Sequence, residues 1–134
     1  MKICIDIDGV LCELRQPDQT YADVQPLPGA VEKMQALHAA GHYLVLQTAR
    51  HMKTCNHNVG LVVKRQAKTL LDWLEEHQIP YDELFFGKPH CDVYIDDNAY
   101  RFESWDQIAA DGASLPLSKE KQAKRARELT PEEP

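Results

Sequence analysis

Asp6 and Asp8 stand one residue apart at the end of an apolar, β-branched run, in the segment Ile5-Asp6-Ile7-Asp8-Gly9. Two carboxylates this close repel, and each raises the other's pKa unless a cation compensates. Further along, Asp96 and Asp97 form a second acidic pair, while Thr48 and Lys88 offer a hydroxyl and an ammonium. Carboxylates gathered with other oxygen donors suit a hard ion such as magnesium better than zinc. The chemistry open to this set is phosphoryl transfer. A carboxylate attacks phosphorus to form an aspartyl-phosphate, splitting one difficult displacement into two easier ones. A second carboxylate two positions on can serve as the base that activates water. A lysine and a threonine hydroxyl hold the equatorial oxygens as charge redistributes, and the cation recruits a phosphate oxygen.

Such residues act together only if the fold converges them. Lys2 to Ile7 reads as a buried strand that ends at the first acidic pair. Residues Val10 to Gln25 show no period and are expected to form a flap or loop. Pro28 suits the first position of a helix whose apolar face is Val31, Met34 and Leu37, with Gly41 placed to cap its end. Tyr43 to Leu46 is a second strand, leading into Gln47 and Thr48. A polar loop from Arg50 to about Asn58 precedes a long amphipathic helix marked by Val63, Ala67, Leu70, Leu71 and Leu74, stopped before Pro80. Leu84 to Phe86 is a third strand closed by Gly87-Lys88-Pro89, and Val93 to Ile95 a fourth, ending at Asp96 and Asp97. Strands alternating with helices predict an α/β fold: a parallel sheet with helices on its faces. Each strand then leads into a residue that handles phosphate or metal, and in open parallel sheets ligands bind beyond the carboxyl ends of the strands. The expected organisation is one core over residues 1–110 and a charged, possibly helical tail over residues 111–134, with a frayed end from Thr130.

In this order the residues resemble the haloacid dehalogenase superfamily. Asp6-Ile7-Asp8-Gly9-Val10 looks like its first motif, Thr48 its second, Lys88 its third and Asp96-Asp97 its paired-aspartate fourth. The match covers roughly Met1 to Phe102. The resemblance implies a Rossmann-like sheet, Asp6 as nucleophile, and Asp8 as general acid and then base. It also implies Thr48 and Lys88 as the phosphoryl clamp, and magnesium held by Asp6, Asp96 and the backbone carbonyl of Asp8, with Asp97 nearby or through water. The dehalogenases that name the group lack a carboxylate at the Asp8 position, so Asp8 favours phosphoryl transfer. The gaps from Asp8 to Thr48 and from Thr48 to Lys88 leave no room for the cap domain many relatives insert. Capless relatives act on large substrates, or on small sugar phosphates when a neighbouring subunit closes the site. Thr48-Ala49-Arg50-His51-Met52, Asn58-Val59-Gly60 and Gly87-Lys88-Pro89 are similar to small phosphatases of capsule and surface-polysaccharide synthesis.

The expected activity is therefore magnesium-dependent hydrolysis of a phosphomonoester, most simply a sugar phosphate in polysaccharide biosynthesis. Two competitors stand beside it: a phosphatase for nucleic-acid ends or phosphoproteins, and a non-catalytic binding or scaffold subunit. A formal net charge of −6 argues against nucleic acid as the main partner. Hydrophobic residues at 43% and charged residues at 27% are the balance of a soluble globular domain. No run approaches the roughly 20 apolar residues of a membrane span, and Asp6 and Asp8 interrupt the one early apolar stretch that a secretory signal needs. A cytoplasmic location follows as the expectation, as do four free thiols at Cys4, Cys12, Cys55 and Cys91. Arg50 either reads a second anionic group on the substrate or makes a surface salt bridge. His51, Cys55 and His57 match no strong zinc spacing and are expected to belong to a polar specificity loop. Cys12 borders the site without a mark of reactivity, and Trp73 and Trp105 are expected to be core or interface residues.

Overall fold

The computed structural model describes residues 1–129, so the frayed end expected from Thr130 onward lies outside the described residues. The element order is β1 (Lys2–Asp6), α1 (Ala30–Ala39), β2 (Tyr43–Thr48), α2 (Val59–Glu76), β3 (Glu83–Phe86), a 3-10 turn at Trp105–Gln107 and α3 (Lys119–Leu129). The three strands form one parallel sheet in the order β1-β2-β3, with Ile3 opposite Leu44, Ile5 opposite Leu46, and Leu46 opposite Leu84. The chain is thus an α/β protein, with α1 and α2 as the crossovers that parallel pairing requires.

The strand register decides which face is buried. Ile5, Leu44 and Leu46 join Met34 and Leu37 of α1 and Leu70, Trp73 and Leu74 of α2 in one apolar core. The opposite face carries Lys2, Cys4, Tyr43, Glu83 and Phe85, and there Phe85 is half exposed. Both tryptophans are buried as expected, and their indole N–H groups donate to Val24 O at 2.8 Å and Val10 O at 2.7 Å. These two bonds pin the base of the long loop between β1 and α1 to the core. No helix among the described residues is long and apolar enough to cross a membrane. The four cysteines are free. The helix of the charged tail, α3, buries none of its side chains.

Three expectations need correcting. Residues Val93 to Ile95 form no strand: they are exposed, Ile95 almost completely, and the sheet stops at three strands. Local contacts hold that segment instead. The Tyr94 hydroxyl donates to the Pro89 carbonyl, the Lys88 ammonium lies 4.4 Å from the Tyr94 ring centroid, and Asp96 Oδ1 accepts from Asn98 N at 3.0 Å. An aspartate that bonds its own backbone two residues on offers the chain a turn in place of a ladder. Secondly, α2 buries Val62, Gln66, Leu70, Trp73 and Leu74, while Val63 and Leu71 face outward. Leu70 and Leu74 are buried as expected, but Val62, Gln66 and Trp73 complete the stripe in place of Val63, Ala67 and Leu71. Thirdly, α1 begins at Ala30 and not at Pro28, because Gly29 takes the left-handed conformation (φ 81°) as its N-cap residue. Gly41 does follow the end of α1 with φ 91°, as expected, and its N–H donates to His38 O.

Candidate active site

The carboxyl ends of β1, β2 and β3 lie side by side, since Asp6 pairs with Gln47 and Thr48 with Phe86. Each strand therefore delivers its polar end to one edge of the sheet. After β1 the chain turns sharply. Gly9 has φ 84°, and the amides of Val10, Leu11 and Cys12 all donate to Ile7 O. This turn presents the Asp6 and Asp8 carboxylates next to one another, each with its own cation.

Asp6 Oδ1 accepts from Ile7 N at 3.0 Å, and Asp6 Oδ2 faces Lys88 Nζ at 3.2 Å. Lys88 is placed by its own backbone, whose N–H donates to Thr48 O at 3.1 Å directly after β3. Asp8 Oδ1 accepts from Arg50 Nε at 2.9 Å, and Asp8 Oδ2 accepts from the Thr48 hydroxyl at 3.0 Å. That hydroxyl also accepts from Arg50 N at 3.0 Å, so Thr48 ties the end of β2 to both members of the pair. The Arg50 side chain is fully buried. Its Nη2 contacts Cys12 Sγ at 3.7 Å, its guanidinium lies 4.3 Å from the Tyr21 ring centroid, and its Nη1 has no partner.

Sequence spacing thus assembles Asp6, Asp8, Thr48, Arg50 and Lys88, and leaves two residues out. Asp96 bonds only its own turn and Asp97 is exposed. Asn98, just beyond them, lines an open pocket over the free sheet face with Lys2, Cys4 and Phe85. Among the described residues no three His, Cys, Asp or Glu side chains gather where they could hold a metal. Among the described residues no hydrogen bond or ion pair joins Asp96 or Asp97 to Asp6 or Asp8. Lys88 and Arg50 neutralise the Asp6 and Asp8 carboxylates. Tyr21 and Gln66 escaped the sequence reading. Tyr21 is the one aromatic in an aperiodic loop, and Gln66 is a polar residue set between Val62 and Leu70 on one helix stripe. The second of these was a legible signal.

The Asp6 carboxyl lies above its ordinary pKa of 3.8. Burial is the main cause, the charge and hydrogen bond of Lys88 oppose it, and the neighbouring Asp8 charge adds to it. An acid whose pKa rises on folding favours the folded state when protonated. That advantage is full below the unfolded value and is lost as pH climbs through the folded one. A reaction that needs the Asp6 anion will accordingly show an acid limb above the usual aspartate range. Lys88→Met should push that limb further up, because it deletes the strongest influence that favours the anion. A pH profile of kcat/KM reads this, and an unmoved limb means Lys88 does not govern Asp6. Cys12 is no alternative nucleophile: burial and then the Asp8 charge push its thiol up to about 12.

A crystal structure of an MCSG target from Vibrio cholerae is similar to this chain, with a TM-score of 0.69 and 30% sequence identity. The similarity covers 97% of this chain and 100% of that one. No protein-family model matches the chain, and no curated protein matches it either.

Proposed function

The chain belongs to the same family as that Vibrio cholerae protein, and within it we propose a capless phosphatase of the haloacid dehalogenase type. One observation carries the reading. Two carboxylates follow the edge strand β1, which buries only Ile5, each is faced by a cation, and the residues that hold them come from the ends of β2 and β3. A dianionic phosphoryl group needs such positive charge beside its attacking carboxylate.

In the first step an Asp6 oxygen attacks phosphorus, and the bond from phosphorus to the leaving alkoxide breaks. Asp8, which must first take up a proton from solvent because it rests as the carboxylate partner of Arg50, delivers that proton to the leaving oxygen. In the second step Asp8 takes a proton from water, the hydroxide attacks phosphorus, and the bond to Asp6 breaks, releasing phosphate. Thr48 and Arg50 fix the Asp8 carboxylate through one hydrogen bond to each oxygen, so it cannot swing away between steps. Lys88, already beside Asp6, is placed to meet the equatorial oxygens of the incoming phosphoryl group. Only a loop and α1 separate Asp8 from Thr48, and only a loop, α2 and β3 separate Thr48 from Lys88. An open site of this kind suits a sugar phosphate of surface-polysaccharide synthesis, with a second subunit as its cover. Magnesium belongs to the reading on donor chemistry, and no step above passes through it.

The test is phosphate release from a panel of sugar phosphates, nucleotides and phosphopeptides, with magnesium and then with a chelator. Selective release from one sugar phosphate, lost with chelator and restored by magnesium, is the expected result. That result establishes the metal requirement, and its loss in Asp96→Asn would assign Asp96 to the ion. A rate indifferent to chelator removes the metal from the reading, and silence across the panel in folded protein removes the phosphatase.

A further inference from the structure

A pocket of about 370 Å³ opens beside Arg50, between the loop after β1 and helix α2. Its walls include Arg15, Thr20 and Tyr21 from the loop, His51 from the residue after Arg50, and Gln66 and Thr69 from α2. No carboxylate lines it. The Tyr21 ring on its wall lies 5.8 Å from the His51 ring and 4.3 Å from the Arg50 guanidinium, which in turn bonds Asp8.

Gln66 is the anomaly. It lies on a helix stripe whose neighbours, Val62 and Leu70, are wholly buried, and it is only 8% exposed itself. Its amide nitrogen lies 3.0 Å from His51 Nε2, yet its Oε1 is buried with no partner, and so is His51 Nδ1. An apolar side chain at position 66 would avoid that desolvation penalty. Hydrogen-bond logic says what the pair offers. If the Gln66 nitrogen donates to His51 Nε2, then Nδ1 holds the ring proton and the pair is left with one donor and one acceptor. If the amide is turned over, Oε1 accepts from Nε2–H, and again one donor and one acceptor remain. Burial and the charges of Arg65, Arg15 and Arg50 lower the His51 pKa, which keeps the ring neutral and this logic intact. A hydroxyl group, which donates and accepts at once, is the complement of the pair.

Charge supplies the second property of the ligand. Arg15 lies on the pocket wall and bonds only the carbonyls of Gln16 and Gln19; Arg65, close by, contacts Cys55 Sγ. Neither arginine has a carboxylate partner among the described residues. The loop can also yield to a ligand. Among the described residues its hydrogen bonds from 14 to 22 return to the loop itself or its base, as with Gln16 N to Gln19 Oε1 and Thr20 to Asp23, and none reaches α2.

We propose that this pocket is the leaving-group subsite, which takes a hydroxylated moiety carrying an anionic group, its hydroxyl read by His51 and Gln66 and its anion by Arg15. The inference rests on the phosphatase reading for its place in catalysis, and names the substrate class as an anionic sugar phosphate. The anion is a carboxylate or a second phosphate, and the substrates of the test separate the two.

The experiment measures kcat/KM on 4-nitrophenyl phosphate, a neutral hexose phosphate, a sugar-acid phosphate and a sugar bisphosphate, for the parent, Gln66→Leu and Arg15→Gln. The parent should prefer the sugar-acid phosphate or the bisphosphate over the neutral hexose phosphate. Gln66→Leu should lose at least about tenfold more on the preferred anionic substrate than on 4-nitrophenyl phosphate, through KM more than kcat. Its Tm should hold, because leucine completes the Val62–Leu70 stripe. Arg15→Gln should erase the preference for the anionic substrates. Equal losses of Gln66→Leu on all four substrates, or a parent that prefers the neutral one, overturn the subsite. If no substrate releases phosphate, the phosphatase reading fails and calorimetric titration with the free sugar acid and the bisphosphate decides the subsite alone. Binding to the parent that Gln66→Leu loses upholds it, and no binding at millimolar concentration overturns it.

Discussion

Asp6→Asn is expected to abolish turnover, by on the order of 10⁴-fold or more, while leaving the fold and its Tm close to those of the parent. The loss follows from the chemistry, since a carboxamide cannot form the aspartyl ester on which both steps depend. The retained stability follows from the environment. Burial outweighs Lys88 in setting the Asp6 pKa, so the ionised carboxylate is a net cost to the folded state at neutral pH. Asparagine removes that cost and keeps the oxygen that accepts from Ile7 N. Lys88 loses its partner, but its ammonium already lies over the Tyr94 ring, beside an exposed segment, and can turn toward water. Activity assayed on a substrate that the parent hydrolyses, together with a melting curve, checks both halves. Turnover in the folded variant would falsify the nucleophile assignment.

Much of this site was legible because it hangs on strand ends. A β-branched run followed by two aspartates, and an apolar run followed by threonine, show strands and their termini at once. Parallel pairing does the rest, since it aligns those termini on one edge whatever the loops do. The buried stripe of α2 was harder to see. Val62 and Val63, and Leu70 and Leu71, offer two overlapping stripes of similar hydrophobicity, and only packing against the sheet selects the one containing Trp73. The segment Val93 to Ile95 shows the limit of strand propensity. A β-branched, aromatic triplet pairs only where a neighbouring edge receives it, and here Tyr94, Pro89 and Asp96 satisfy it locally. Asp96 is exposed with that segment, and its carboxylate accepts from Asn98 N. The partnership of Arg50 with Asp8 was out of reach for another reason. Spacing places arginine two residues past Thr48, but only the turn at Gly9 brings Asp8 within hydrogen-bond reach of it.

The charge arrangement separates the two aspartates in a way that activity alone does not. Asp8→Asn should also cost activity, by about 10²–10⁴-fold for loss of an acid and base, yet it should destabilise where Asp6→Asn does not. Arg50 is wholly buried, and Asp8 is its one carboxylate partner among the described residues. Breaking a buried pair from one side strands a charge at a cost of roughly 3–5 kcal/mol. Asp8 keeps about a fifth of its side-chain surface exposed (22%), which brings the expectation down to roughly 2–3 kcal/mol. The asparagine oxygen can keep the bond from Arg50 Nε while its N–H₂ donates to the Thr48 hydroxyl, so the cost lies in the lost charge rather than in the hydrogen bonds. For a chain of this size the Tm should fall by about 5–10 °C. Two inactive variants with different melting temperatures are thus the signature of one carboxylate placed for attack and another that both transfers protons and neutralises a buried cation. An Asp8→Asn protein that melts with the parent would mean that Arg50 finds its counter-charge elsewhere, and the resting pair of Asp8 with Arg50 would have to be abandoned.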